Sequence, residues 1–460
     1  MSPAKAIDAL VQALGDDLVA TGSGIPDRRH GDWSGVPYSV PLALLRPRNT
    51  EQLARMLQIC HEFGQPVVPQ GGLTGLAGGA GPAEVAASLE RMNAIEEIDA
   101  VSGTLTAQAG CTLQAVQEAA EAAGFLFALD LGARGTCTIG GNLSTNAGGN
   151  RVIRYGTMRD QLLGVEAVLA DGSVVGGLHK MVKNNTGYDL RHLLAGAEGT
   201  LGIVTRVVLK LHPQPKSVST AWCGLPDYDA VTILLQRAKA ELPGGVSAFE
   251  VMWPSYLDFM LGKVKGLRAP LSRRHAMNVL MESAGADAVR QAAEFDEFLT
   301  RMLEEGVLED ATVARSTSDA RTLWAVRDAT AEFPILLPGM AAFDVSFAIG
   351  DIGRAALECE ALLRQRWPRC TALVYGHLGD GNLHVIAHVA DGAAAETRAI
   401  EEVVYDLVRR YRGAVSAEHG IGILKRNVLG HTRSPAELAA MRAIKQALDP
   451  KGILNPGKVL

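Results

Sequence analysis

Two late segments of the chain carry residue types that do chemistry. Gly376-His377-Leu378-Gly379-Asp380-Gly381-Asn382-Leu383-His384 sets two imidazoles seven residues apart across a glycine-rich turn. Ser416-Ala417-Glu418-His419-Gly420-Ile421-Gly422 adds a carboxylate and a third imidazole. Two imidazoles and a carboxylate suit a divalent metal ion with positions left open for a substrate. The spacing is not the helical H-x-x-x-H that puts both rings on one face. Glycine-rich turns with buried, hydrogen-bonded histidines therefore explain the same residues. Of the 11 His, isolated ones such as His61 and His192 read as surface or satisfied core positions.

A second chemistry is written in glycine, 50 of 460 residues, in clusters. Pro69-Gln70-Gly71-Gly72-Leu73-Thr74-Gly75-Leu76-Ala77-Gly78-Gly79 packs five glycines into nine residues directly after a short strand. Such a loop lets backbone approach something closely, and its successive N–H groups form a concave anion site suited to phosphate. It is neither G-x-G-x-x-G opening a helix nor G-x-x-x-x-G-K-[ST], and a flexible surface loop is the competing reading. A second stretch, Leu131 to Asn150, is too long to be a structureless loop without a function. Its small donors and acceptors suit the rim of a flat polar ring system. A third, Gly196-Ala197-Glu198-Gly199-Thr200-Leu201-Gly202-Ile203, repeats the style before a strand.

The elements that must position these loops follow from periodicity and caps. Ile7, Leu10, Val11 and Leu14 share one face of an N-terminal helix. A helix is expected over Thr50–Phe63, then strands at Pro66–Pro69, Val85–Leu89, Ile95–Ile98 and Thr104–Ala109. Thr112 caps a helix ended by Gly124. Residues 130–160 read as loop. Strands return at Leu163–Ala170 and Ile203–Leu211, and Pro213 and Pro215 mark a boundary. Helices and strands then alternate to about 425, including a helix over Ala394–Tyr411. Ser434-Pro435-Ala436-Glu437 is a capping box with proline at the first helical position.

The bulk numbers exclude some classes. A net charge of −6 and a pI near 6.0 disfavour nucleic-acid or anionic-membrane surfaces. Six cysteines without a C-x-x-C pair read as reduced, structural and intracellular. No apolar run reaches membrane-spanning length. These features lead us to expect a cytoplasmic protein, with peripheral membrane association left open.

Taken together, the loop at 69–79, the IGGN-STNAGGN-RYG run at 139–156 and NNTGYDL-AEGTLGI at 184–203 resemble the FAD-binding domain of the vanillyl-alcohol-oxidase / p-cresol-methylhydroxylase flavoproteins. The resemblance covers nearly the whole chain. GHLGDGNLH, EHGIG and LDPKGILNPGK further resemble the FAD-linked D-2-hydroxyacid dehydrogenase branch, with its D-lactate, D-2-hydroxyglutarate and glycolate dehydrogenases. The resemblance implies an α+β protein. An N-terminal helical segment (1–35) precedes a two-lobed FAD-binding domain (36–215). A substrate (cap) domain with an antiparallel sheet follows (216–425), and a C-terminal segment (426–460) returns to the FAD domain.

It also implies roles. Gly71, Gly72, Thr74, Gly75 and Gly79 would hold the FAD phosphates, and Pro69 and Leu73 of the same loop would bind the cofactor. Thr136, Ile139, Gly140, Asn142, Thr145, Gly149 and Tyr155 would line the cofactor, with Glu198, Gly202, Ile203 and Asn455 beside it. His377, His384 and Glu418 match zinc or manganese ligands. His419 matches the catalytic base, and Arg327 the arginine that grips a substrate carboxylate through its bidentate fork. Members that attach flavin covalently through this loop have a histidine where this chain has Leu73, so the FAD is expected to be non-covalent.

Two positions depart from the D-2-hydroxyglutarate pattern. Ala342 stands where those enzymes carry a lysine, and Ile386 where they carry an asparagine. Both replacements remove groups that could hold a distal carboxylate. The expected reaction is oxidation of D-lactate or an aliphatic D-2-hydroxyacid, with electrons passed to an electron-transfer flavoprotein or a quinone. D-2-hydroxyglutarate or D-malate dehydrogenation, or a glycolate-oxidase-like subunit, is the alternative. Rival classes are an oxygen-using oxidase, an FAD-holding protein without turnover, and a metal hydrolase that binds a nucleotide in the glycine loops. A homodimer is common among such relatives.

Overall fold

A computed structural model describes residues 3–390, 392 and 394–460. The chain divides into two compact units. The first takes the residues through Gly149, then Gly156–Gln214 and Glu418–Leu460; the second takes Asn150–Tyr155 and Pro215–Ala417. The return to the first unit thus begins at Glu418, earlier than the expected 426, and the segment Asn150–Tyr155, at the end of the second glycine-rich stretch, belongs to the second unit.

In the first unit, Val19–Thr21 (β1), Ala43–Leu45 (β2), Val68–Gln70 (β3) and Val85–Ser88 (β4) form a sheet in the order β1-β2-β4-β3. Its β2–β4 and β3–β4 pairs are parallel. Ile95–Asp99 (β5) and Thr104–Gln108 (β6) start a second sheet, while Phe125–Leu126 (β7) pairs elsewhere. Leu162–Val168 (β8), Val174–Gly177 (β9) and Ile203–Lys210 (β10) complete that second, antiparallel sheet in the order β5-β6-β10-β8-β9. His212–Pro213 (β11) closes a two-stranded ribbon with β7.

Helices here begin and end where their caps dictate. The Asn49 side chain accepts from the Gln52 N–H to open Thr50–Phe63, and Gly64 in the left-handed region ends it. The N-terminal helix Pro3–Leu14 buries Ala6 and Leu10. Ile453 and Leu454 of the C-terminal segment are fully buried in the same core. The Val67 N–H donates to Ile453 O at 2.8 Å, so this segment extends the β3 edge. Pro435–Leu448 opens with the reciprocal Ser434/Glu437 capping box. Ser434→Ala is expected to speed amide exchange at Glu437 about fivefold, for a loss of ~1 kcal/mol.

Residues 130–160 are not all loop. Ile139–Ser144 is a helix capped by the Thr138 side chain, and Val152–Tyr155 is a helical turn. The paired glycines Gly140-Gly141 hide the first of these, because glycine opposes helix formation. Packing explains Gly140: a Cβ there would stand 2.6 Å from the Ala109 Cβ.

The second unit is built on a seven-stranded sheet. Its strands are Ser217–Leu225 (β12), Val246–Met252 (β13), Met277–Gly285 (β14), Asp310–Val313 (β15), Ala341–Ser346 (β16), Cys370–His377 (β17) and Asn382–Val389 (β18). The order is β15-β12-β14-β13-β17-β18-β16, and every pair is antiparallel. Residues opposed across antiparallel strands share a face. Register therefore puts Trp222, Leu280, Glu250, Met252, Tyr375, His377, His384, Ile386, Asp344 and Ala342 on one face. Tyr256, Leu323, Val326 and Phe333, from helical segments, complete the apolar cluster on that face.

Candidate functional site

Within the first unit the glycine loops bound a cavity of about 390 Å³, a size usual for a small-molecule site. Its wall includes Pro69, Gly71, Gly72, Leu73, Thr74, Gly75, Gly79, Gly140, Asn142, Thr145, Glu198, Ile203, Asn455, Glu418 and His419. Five positions expected there stand off the wall, for identifiable reasons. Thr136 is exposed, and Ile139 is core. Gly149 gives its N–H to Glu418 Oε2 at 2.8 Å. Gly202 packs against Leu194 and Leu169. Tyr155 belongs to the second unit.

Cys137 and Thr138 of the second glycine-rich stretch also line the cavity, and so do Asp32 and Trp33, which no motif marks. Asp32 accepts from Ser34 and from the Ala80 N–H at 3.3 Å, and so braces the end of the first loop. No glycine cluster or motif marks that segment, so nothing in the sequence singled it out.

The wall asks for a polar occupant. Gln70 Oε1, Asn142 Nδ2 and Asn455 Oδ1 are buried side-chain atoms with no hydrogen-bond partner, and all three residues line the cavity. Each such group costs ~1–3 kcal/mol if left unpaired, so a cofactor with polar edges fits. Asn455 Nδ2 meanwhile donates to Gly79 O at 2.9 Å and Glu198 O at 2.7 Å. The Glu198 carboxylate accepts the Ile421 and Gly422 N–H groups at 2.7 and 2.8 Å. Burial nevertheless pushes the Glu198 carboxyl above its ordinary range.

The second unit carries a polar array on the sheet face described above. Glu250 is fully buried and faces two partners. His377 Nδ1 lies 2.6 Å from Glu250 Oε1, and Arg327 Nε donates to Glu250 Oε2 at 2.7 Å. Burial pushes the Glu250 carboxyl up, yet its contacts with His377 and Arg327 outweigh that and hold the group below its usual value. Burial likewise opposes the Arg327 charge, and Glu250 restores it.

Arg327 sits at the end of the helix Thr317–Asp328, whose last carbonyls are held by the Tyr256 hydroxyl. That group donates to Val326 O at 3.0 Å and Arg327 O at 2.9 Å. The guanidinium lies over the Tyr375 ring, 4.9 Å from its centroid. The His377 and His384 rings stand edge to face, 5.2 Å between centroids. Asp344, opposed to His384 in register, accepts the Ala417 N–H at 3.2 Å. It thereby anchors the residue immediately before Glu418.

Two buried imidazoles, one already held at Nδ1 by a carboxylate, are a donor set that fits a divalent ion such as zinc. The sequence singled out His377, His384 and Arg327 but passed over Glu250, which lies far away in the chain and in no motif.

Comparison with known proteins agrees with this layout. The FAD binding domain family matches residues 41–176, and the family of FAD linked oxidases, C-terminal domain, matches residues 214–459. D-2-hydroxyglutarate dehydrogenase, mitochondrial, of Arabidopsis thaliana is 38% identical over 458 residues, 99% of this chain and 81% of that protein. The protein of the same name from Bos taurus is 39% identical over 97% of this chain and 83% of its own length. D-2-hydroxyglutarate dehydrogenase of Xanthomonas citri is 37% identical over 93% of this chain and 91% of its own length.

Among solved structures, p-cresol methylhydroxylase with substrate bound aligns with a TM-score of 0.78 at 18% identity, over 99% of this chain and 96% of that one. The fold is therefore of the p-cresol methylhydroxylase type. No helix among the described residues is long and apolar enough to cross a membrane. The chain belongs to the FAD-linked oxidase family, on the branch that includes the D-2-hydroxyglutarate dehydrogenases.

Proposed function

We propose that the chain oxidises a D-2-hydroxyacid to the 2-oxoacid, using non-covalent FAD and a divalent ion. The observation that carries this reading is the buried Arg327–Glu250–His377 array beside His384. It combines a fixed carboxylate receptor with a metal-type donor pair in a protein built to hold FAD. Bound FAD would supply a two-electron acceptor for the hydride from C2, and the zinc or manganese ion that the resemblance assigns to His377, His384 and Glu418 would supply Lewis-acid assistance at the hydroxyl. Arg327 grips the substrate carboxylate with the guanidinium edge that Glu250 does not use. His419 takes the hydroxyl proton on its imidazole. Leu73, on the cavity wall, offers no atom for a covalent bond to the cofactor. Electrons then pass to a separate acceptor, an electron-transfer flavoprotein or a quinone, and we place the reaction in the cytoplasm.

The substrate we favour is D-lactate or a longer aliphatic homologue. Ile386 is buried among Trp222, Tyr375 and Met252 on the same sheet face as His384, and Ala342 lies opposite it. An apolar side chain suits the buried Ile386, and neither Ile386 nor the exposed Ala342 offers a donor to a distal carboxylate. The names of the relatives favour D-2-hydroxyglutarate instead, and that is the second reading.

One experiment separates them. The purified protein should be yellow, and acid precipitation should release all the colour. D- and L-hydroxyacids are then added without oxygen. Bleaching by D-lactate at least tenfold faster than by D-2-hydroxyglutarate, and loss of bleaching after EDTA, is the expected result. The reverse preference overturns the substrate class, and a colourless protein that takes up no FAD overturns the reading as a whole.

A further inference from the structure

We infer that Glu250 is a positioning residue that sets two functional side chains at once. It fixes the tautomer of His377 and the in-plane rotation of Arg327. The inference rests on the reading of those two residues given above and adds a residue that no motif marks.

Glu250 has one oxygen for each partner, at 2.6 Å from His377 Nδ1 and 2.7 Å from Arg327 Nε. A carboxylate only accepts, so His377 carries its proton on Nδ1 and its lone pair on Nε2. Arg327 Nη2 faces that Nε2 at 3.4 Å, where a second N–H would meet it donor to donor. That lone pair faces the Arg327 N–H here, and it is the one a bound metal would take in its place. The Tyr375 ring, 4.9 Å from the guanidinium carbon, sets the plane of Arg327. Glu250 then sets its rotation within that plane, which leaves the remaining edge of the fork for a ligand carboxylate. Glu250 itself cannot wander. It lies on β13 between β14 and β17, is fully buried, and is opposed in register to His377.

Glu250→Gln tests this at constant shape. An amide has one acceptor and one donor end, but two N–H groups face it. Either His377 takes the tautomer that puts its proton on Nε2, or Arg327 turns away. The full-length protein is loaded with FAD and titrated with zinc against a competing chelator, and steady-state kinetics use its fastest D-2-hydroxyacid. Zinc should bind about 10–100-fold more weakly, or KM should rise about tenfold with kcat less affected, while the flavin spectrum stays near wild type; the thermal midpoint should fall, because the buried Arg327 loses its anion. A zinc affinity and a KM both within twofold of wild type overturn the inference.

His377→Ala and Arg327→Lys separate its failure from failure of the underlying reading. If they too leave zinc affinity and KM unchanged, the roles of His377 and Arg327 fall, and the inference with them. Should Glu250→Gln not fold, the wild-type protein still decides. In the FAD-loaded chain labelled with ¹⁵N-histidine and measured before zinc is added, the ring whose signals vanish in His377→Gln should be protonated at Nδ1, and protonation at Nε2 would overturn the inference.

Discussion

Arg327→Lys should lower kcat/KM for the preferred D-2-hydroxyacid by roughly 30- to 5,000-fold, the equivalent of ~2–5 kcal/mol. The residue is 7% exposed, and its Nε is committed to Glu250 at 2.7 Å. A lysine keeps the positive charge that the buried carboxylate requires. It has one ammonium, however, and cannot satisfy Glu250 and a substrate carboxylate in two fixed directions. The loss should fall mainly on KM, because a receptor for the carboxylate acts in the ground state as well as the transition state. Stability should change little. Arg327→Met differs by leaving Glu250 without its cation, and should cost ~3–5 kcal/mol of stability in addition. Steady-state kinetics with thermal unfolding distinguish the two variants. If Arg327→Lys keeps wild-type KM, this side chain does not hold the substrate.

Gly72→Ala should yield a protein without bound FAD. A Cβ at this position would stand 2.0 Å from the Thr136 carbonyl oxygen and 2.8 Å from the Cys137 Cα. Both neighbours are backbone, so no rotamer change relieves the clash. The first loop must lift away from the segment that carries Cys137 and Thr138, and both form the same cavity wall. Gly132→Ala is the matched control, since Gly132 also lines the cavity and a Cβ there meets nothing within 4 Å. Visible absorbance per polypeptide after gel filtration is the readout. A yellow Gly72→Ala protein with full flavin content would show that the two loops can separate without loss of the site.

This glycine also shows where reading the sequence reached its limit. Five glycines in nine residues signalled a close approach of backbone to something. For Gly72 that something is the protein's own Thr136 carbonyl, and for Gly140 it is Ala109. Composition reveals that a side chain is forbidden without revealing what forbids it. Gly140-Gly141 likewise concealed the helix Ile139–Ser144, which survives because Thr138 caps it and Ala109 packs on it.

Local chemistry was written in the chain itself. The caps at Asn49, Thr112 and Ser434 start their helices because short polar side chains satisfy N–H groups within a few residues. The alternating apolar runs that became β6, β8 and β10 were legible for the same reason, since a strand's period is intrinsic to its backbone. His377, His384 and Arg327 were singled out through the family resemblance of short segments, which are local by definition. Tertiary structure alone brought Glu250 between Arg327 and His377, partners 77 and 127 residues away. It alone placed Asp32 behind the first glycine loop and Ile453 and Leu454 in the core beside Val67. Such partners are chosen by sheet register and core packing, which depend on the whole chain at once, so no window of sequence contains them.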